Sequence, residues 1–322
     1  MAPSLRQTTV SALSGGAVLT GILAGLAAGA LWGLVFIAPR MAVHFSAVDL
    51  TAGRFLSFGA LSFLLLVFAR RRVWPSLQQS LAAAGMSVLG FTGYYLLLVL
   101  AIRDAGTEIP SLIIGTIPLW MMLLGRPVGF GHRALLPGLA LTLAGLLLMM
   151  CVSGGLSQPA NGVQMPHFWR GVIFAAASMV CWTAFGLLNA AWLKKHTKVS
   201  AMTWANWLGI ATGMGALLLW LAAGTDAGAL RATPGLAQAV LLCVVTGIGS
   251  AWLATILWNI ASQRLSASLC GQLIVSETLF ALFYSFVWDG RWPTLIQTLA
   301  CVFFIAGIFA SLSGHRQLTQ HP

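Results

Sequence analysis

Apolar residues in this chain do not alternate with polar ones; they come in runs of about twenty. Ten runs can be counted: 17–39, 50–69, 81–102, 109–125, 134–152, 171–193, 201–223, 236–261, 267–288 and 293–312. A hydrocarbon layer about 30 Å thick needs about 20 apolar residues per helix, so each run predicts a membrane-spanning helix. The other backbone that lipid tolerates is a closed barrel, built from alternating strands of about ten residues. These runs are continuous and twice that length. The expected fold class is an all-α polytopic membrane protein with ten transmembrane helices.

Composition agrees. Hydrophobic residues make up 59% of the 322 and charged residues only 7%, with a mean hydropathy of +0.90. A soluble domain carries roughly a quarter charged residues to coat its surface. The partner implied for most of this chain is the lipid bilayer. The first run is too long for a signal h-region of 7–15 residues and no convincing cleavage site follows it, so it is expected to be a retained span.

The net charge of +11 would suit nucleic acid only if the basic residues formed one face. Instead they lie in small groups between the runs, which argues for topology and for no nucleic-acid partner. With the N-terminus inside, the inner loops hold Arg6, Arg70, Arg71, Arg72, Arg126, Arg133, Lys194, Lys195, Lys198, Arg264 and Arg316. The outer loops hold Arg40, Arg103, Arg170, Arg231 and Arg291. Cytoplasmic loops carry the excess of Lys and Arg, so both termini are expected to be cytoplasmic. The five cysteines, Cys151, Cys181, Cys243, Cys270 and Cys301, form no CxxC pair and have no histidine at ligand spacing. Neither a disulfide framework nor a metal site is expected, and no cofactor.

The longest loop, about 153–167, is Gly/Ser/Pro-rich and divides the chain five runs from five. An odd number per half makes the second half enter the bilayer from the opposite side. Weak internal similarity supports this: Ala30-Leu31-Trp32-Gly33 precedes Val180-Cys181-Trp182-Thr183 by about 150 residues, and Ala144-Gly145 pairs with Ala306-Gly307. Inverted repeats of this kind are common in secondary transporters. Together with Pro118 in the fourth run, Glu277-Thr278 in the ninth and Asp289-Gly290-Arg291 before the tenth, these features resemble the drug/metabolite transporter superfamily, specifically its EamA-repeat proteins. The resemblance implies two inverted five-helix repeats, 17–152 and 168–313, in a bacterial inner membrane. It also implies export of small metabolites such as amino acids. Thr278 stands where that family usually has proline, which removes the usual cause of a kink in the ninth helix.

Glu277 is the sharpest candidate residue. It lies ten residues into its run, about 15 Å deep at 1.5 Å per residue. An ionised carboxylate there costs about 2.5–3.5 kcal/mol on insertion scales, and such residues are usually functional. It suits proton coupling or a substrate ammonium group; a protonated carboxyl used in packing is the other reading. Ser276, Gln272 and Ser268 flank it on one face and either line a pathway or bond a neighbouring helix. Trp32 and Trp182 sit within their runs, away from the headgroup level where Trp usually anchors. They either wall an apolar or aromatic substrate or fill the core. Tyr94 and Tyr95 carry the same two readings, as do Trp252 with Asn259, and Asn189 on the Trp182 face. Arg54, about 6 Å inside the second helix, either snorkels to the interface or pairs with a substrate carboxylate or Glu108. Gly21, Gly25, Gly29 and Gly33 form overlapping GxxxG steps that admit a close helix neighbour.

The expected function is secondary transport, by alternating access, of a small-molecule substrate such as an amino acid or amphipathic amine. The alternatives are a channel or accessory subunit, or an intramembrane enzyme. Against an enzyme, the six histidines lie in loops or the tail and no GxSxG, HExxH or phosphate loop occurs.

Overall fold

A computed structural model describes residues 15–70, 72–105, 108–125, 132–152 and 167–320, and every regular element among them is helical. In chain order the helices are α1 (Gly15–Gly33), α2 (Ala47–Phe68), α3 (Leu77–Ala105), α4 (Glu108–Gly115), α5 (Ile117–Leu124), α6 (His132–Val152), α7 (Phe168–Lys195), α8 (Ala201–Ala223), α9 (Ala227–Ala232), α10 (Leu236–Arg264), α11 (Ala267–Asp289) and α12 (Leu295–Gln320). Eight of these are long and apolar enough to cross a membrane; two further apolar stretches, Ile113–Leu124 and Leu135–Met149, are shorter. The central Gly/Ser/Pro-rich stretch, 153–166, lies outside the described residues, as do Arg6, Arg71 and Arg126.

Helix starts follow from side chains that satisfy free N–H groups. Ser46, Ser200 and Ser266 accept from the backbone of Asp49, Thr203 and Leu269 and so open α2, α8 and α11. Ser76 and Gln79 form a reciprocal capping box at the head of α3. Gly290, at φ +61°, closes α11 in the left-handed conformation that glycine adopts without steric cost.

Four local features depart from the pattern of runs. The first run is not one helix: after Gly33 it tightens into a 3-10 turn, Leu34–Phe36, followed by a single turn at Ala38–Met41. The fourth breaks at Thr116, because Pro118 just beyond has no N–H to extend the ladder and fits instead in the first turn of α5. The loop at 224–234 folds into the short α9, capped by Asp226. Finally, α3 and α10 each contain a π-helical segment, Val88–Thr92 and Gly247–Leu253. Such bulges insert an extra residue and often mark functional sites. In contrast α11 runs unbroken past Thr278.

Lipid offers helices no hydrophobic reason to associate, so close approach of small residues and interhelical hydrogen bonds must hold them together. The glycine ladder does the first. A Cβ placed on Gly25 would stand 2.7 Å from Leu273, and one on Gly33 2.9 Å from the backbone of Ala281. Thus α1 lies backbone to backbone along α11, and Gly21 meets Leu265 at the end of α10 in the same way. Gly59 of α2 and Gly213 of α8 abut each other, each Cβ position within 2.8 Å of the other's Cα. Other major pairings are α3 on α7, α6 on α12, and α5 on α11.

Interhelical hydrogen bonds do the second. Asn189 of α7 accepts from Trp204 Nε1 at 2.7 Å and donates to Asn259 of α10 at 3.1 Å, and Asn259 donates to the Ala201 carbonyl at 3.2 Å. Substituting Asn189→Leu leaves an indole N–H and an amide oxygen unpaired in the core, at about 1–3 kcal/mol each. The expected result is a lower thermal unfolding midpoint in detergent. Asp104 at the end of α3 grips Arg170 at the start of α7 through two contacts, 2.6 and 3.2 Å.

Candidate functional site

Arg54 projects from the first half of α2. Its Nε is sealed from solvent without a hydrogen bond, and its guanidinium carbon lies 4.6 Å from the centre of the Phe55 ring. α2 begins at Ala47, so Arg54 lies a turn or two inside the helix, where its guanidinium stacks on the neighbouring ring. Electrostatically it faces Tyr94, Tyr95, Cys243 and Glu277. These groups come from four elements: α2 supplies the cation, α3 the two phenols, α10 the thiol and α11 the acid. Glu277 is held there because Gly29 of α1 admits the backbone of Ser276 and Glu277 at close range. Among the described residues no hydrogen bond reaches its carboxylate. A small cavity of about 40 Å³ borders Arg54, walled by Val35, Thr51, Cys243 and Thr246 among others. It has room for little more than one water.

Beside this polar group stands an aromatic wall. Trp32 of α1 lies 5.3 Å from Trp258 of α10 and 6.2 Å from Trp182 of α7, ring centre to ring centre, and the latter two are also 6.2 Å apart. The wall continues from Trp182 through Phe185 to Phe91 in the π segment of α3, and from there to Phe55 beneath Arg54. Three buried donors beside the tryptophans have no hydrogen bond: Trp258 Nε1, Thr183 Oγ1 and Thr255 Oγ1. Buried polar groups are normally paired, so these are places where a polar ligand or water would be held.

The residues singled out from the sequence divide into two groups. Arg54, Tyr94, Tyr95, Glu277, Trp32 and Trp182 converge on this region, with Tyr95 fixed by donating its hydroxyl to the Ala47 carbonyl at 2.7 Å. The others serve packing. Asn189 and Asn259 bond each other; Gln272 donates to Thr142 at 3.1 Å and accepts from Ser311 at 3.1 Å; Ser276 donates to the Leu273 carbonyl. None of these four is more than 1% exposed. Trp252 donates to Asn206 at 2.8 Å. Sequence reasoning missed Trp258 and the phenylalanines; the available signal for Trp258 was a tryptophan deep within its run, like Trp32 and Trp182. The side chain of Glu108 lies outside the described residues.

Residues 19–151 match the family described as the EamA-like transporter family. That segment holds the first-half residues of the resemblance to the drug/metabolite transporters, Ala30-Leu31-Trp32-Gly33 and Pro118, but not Glu277-Thr278 or Asp289-Gly290-Arg291. The chain is also 27% identical to "Inner membrane protein YtfF" of Escherichia coli (strain K12), over 90% of this chain and 94% of that one. It is 24% identical to "Uncharacterized transporter YdfC" of Bacillus subtilis (strain 168), over 94% and 92%. A solved crystal structure superposes with a TM-score of 0.70 at 20% identity, covering 94% of this chain and all of the other; that likeness speaks for the fold alone. With eight helices long and apolar enough to span and an inner-membrane relative, the chain is a multi-pass protein of a bacterial inner membrane.

Proposed function

We propose that this EamA-like protein is a secondary carrier, not an enzyme or a channel, which exports small amines or amino acids by alternating access. The observation that carries the proposal is a half-buried acid and a half-buried cation from different helices beside one aromatic wall. Arg54 would take a substrate carboxylate, Glu277 its ammonium group, and Trp32, Trp182 and Trp258 its apolar part; indole faces suit both rings and cations. A single carboxylate holds one cation at a time. Substrate and proton would therefore compete for Glu277, and that competition is the simplest way to couple export to proton entry.

Two inverted repeats, with both termini cytoplasmic, form part of the same reading. In their support, helix contacts recur when each helix of one half is exchanged for its counterpart: α3 packs on α7 as α10 packs on α1, and α8 on α3 as α2 on α10. The π segments occur in the matched pair α3 and α10. Two matched residue pairs, Gly59 with Gly213 and Trp32 with Trp182, also touch each other, as residues on a pseudo-twofold axis must. The cavity at Arg54 is too small for an amino acid, so the helices must part on each cycle.

The test is efflux from proteoliposomes loaded with a panel of amino acids and aromatic amines, with and without a pH gradient. Saturable efflux of one member, driven by inward protons, is expected. Efflux of every member at the rate of protein-free vesicles would end the proposal.

A further inference from the structure

A second cavity lies well away from the Arg54–Glu277 region, at the end of the molecule marked by the basic clusters. It is a groove of about 320 Å³ between the last turn of α2 and the first turns of α8, with the strand-like segment after α2 as its rim. Its walls are apolar: Leu65, Phe68 and Val73 on one side and Met202 on the other. Phe68 is 78% exposed. At its back is Asn206, 7% exposed. Trp252 Nε1 is only a donor, so the Asn206 oxygen must face it, at 2.8 Å. The remaining Asn206 NH2 then points away from Trp252, and among the described residues it has no partner. An unpaired amide that is nine-tenths buried and lines an apolar groove calls for an acceptor arriving from outside.

The rim supplies charge. Arg70 and Arg72 stand between the lining residues Ala69 and Val73, and Lys198 precedes Met202; all three are exposed. The rim is held in place because Trp207 donates Nε1 to the Val73 carbonyl at 3.0 Å. Among the residues whose side chains are described, the acids Asp49, Asp104, Asp226 and Glu277 lie elsewhere, so none of these carboxylates faces the rim. A twofold-related second copy would bring the same cations together and is disfavoured. An apolar slot, one buried amide donor and a cationic rim match a molecule with a long hydrocarbon chain, an ester carbonyl and a phosphate.

We propose that this groove is a binding site for one anionic glycerophospholipid. An acyl chain lies against Leu65, Phe68 and Met202, the ester carbonyl accepts from the Asn206 amide, and the phosphate sits on Arg70 and Arg72. A basic residue near an anionic headgroup contributes about 1 kcal/mol, so the two arginines together favour an anionic over a zwitterionic lipid by roughly 25-fold.

The test uses the full chain in nanodiscs of equal phosphatidylglycerol and phosphatidylcholine, released into native mass spectrometry. One retained phosphatidylglycerol per chain is expected, in roughly 25-fold excess over phosphatidylcholine. Filling the groove with Thr203→Trp should remove that adduct. The surface double substitution Arg70→Gln with Arg72→Gln should keep a lipid but abolish the preference, whereas Lys195→Gln should change neither. Equal retention of the two lipids by the unaltered chain would overturn the site. So would a phosphatidylglycerol adduct that survives Thr203→Trp, an unchanged preference for phosphatidylglycerol in the arginine double variant, or a dimer mass that Thr203→Trp abolishes. Should Thr203→Trp fail to fold, the arginine pair decides alone, since it touches only exposed side chains.

Discussion

Replacing Glu277 by Gln should reduce transport by about 30-fold or more while leaving the protein folded. Removing one partner of a desolvated charge pair costs about 2–5 kcal/mol, and 1.4 kcal/mol is a factor of ten. Gln keeps the shape and hydrogen-bonding capacity of a protonated Glu. It cannot accept a proton or neutralise an ammonium group. Because no hydrogen bond among the described residues depends on the carboxylate, the thermal unfolding midpoint should change little. Transport by the Gln variant should also lose its response to an imposed pH gradient. The measurement is initial efflux rate against substrate concentration at two pH gradients, alongside a thermal melt. Unaltered rates with unaltered pH response would remove Glu277 from the mechanism and leave it a packing residue.

The second large effect concerns assembly. Gly29→Leu should prevent α1 from seating on α11. Any Cβ at that position collides with Ser276 Oγ and stands 3.1 Å from the Glu277 backbone nitrogen. The backbone nitrogen cannot step aside as a flexible side chain would. Overpacking in a close-packed interior costs about 1–3 kcal/mol for a few extra methylenes, and leucine adds four carbons. The expected result is a thermal midpoint lower by roughly 5 °C or more, at 2–4 °C per kcal/mol for a chain of this size class, with loss of transport. Gly85→Leu is the control: nothing lies within 4 Å of a Cβ there, so its melt should match the parent. Equal melts for the two variants would mean that the α1–α11 contact contributes little to stability.

Much of the architecture was legible because lipid imposes a single rule, that backbone polar groups be satisfied within the segment. The run 201–223 and helix α8 coincide residue for residue, since Ser200 caps one end and Gly224 follows the other. What escaped the pattern depends on contacts between distant segments. No hydropathy signal distinguishes the π segment at Val88–Thr92 from ordinary helix. The break after Gly33 was hidden because the residues beyond it remain apolar. Among the candidate residues, Glu277 drew notice because a mid-run carboxylate is costly, and Trp32 and Trp182 because they lie off the interface; the fold places the two tryptophans 6.2 Å apart. Arg54 was left with two readings because depth along a helix gives no direction around it; its stacking on Phe55 is visible only in the fold. Asn189 and Gln272 looked as polar as any pathway residue. Only their partners, Asn259 with Trp204 and Thr142 with Ser311, assign them to packing.

The central claim is that a zwitterion or amine held between Arg54 and Glu277 crosses the membrane one molecule per conformational cycle. Counterflow tests this most directly: proteoliposomes loaded with unlabelled tryptophan and diluted into a trace of labelled tryptophan. A carrier returns faster when loaded, so labelled substrate should accumulate transiently above equilibrium, and Glu277→Gln should abolish the overshoot. Entry that rises only to equilibrium, indifferent to the internal load and unchanged by Glu277→Gln, would contradict the account.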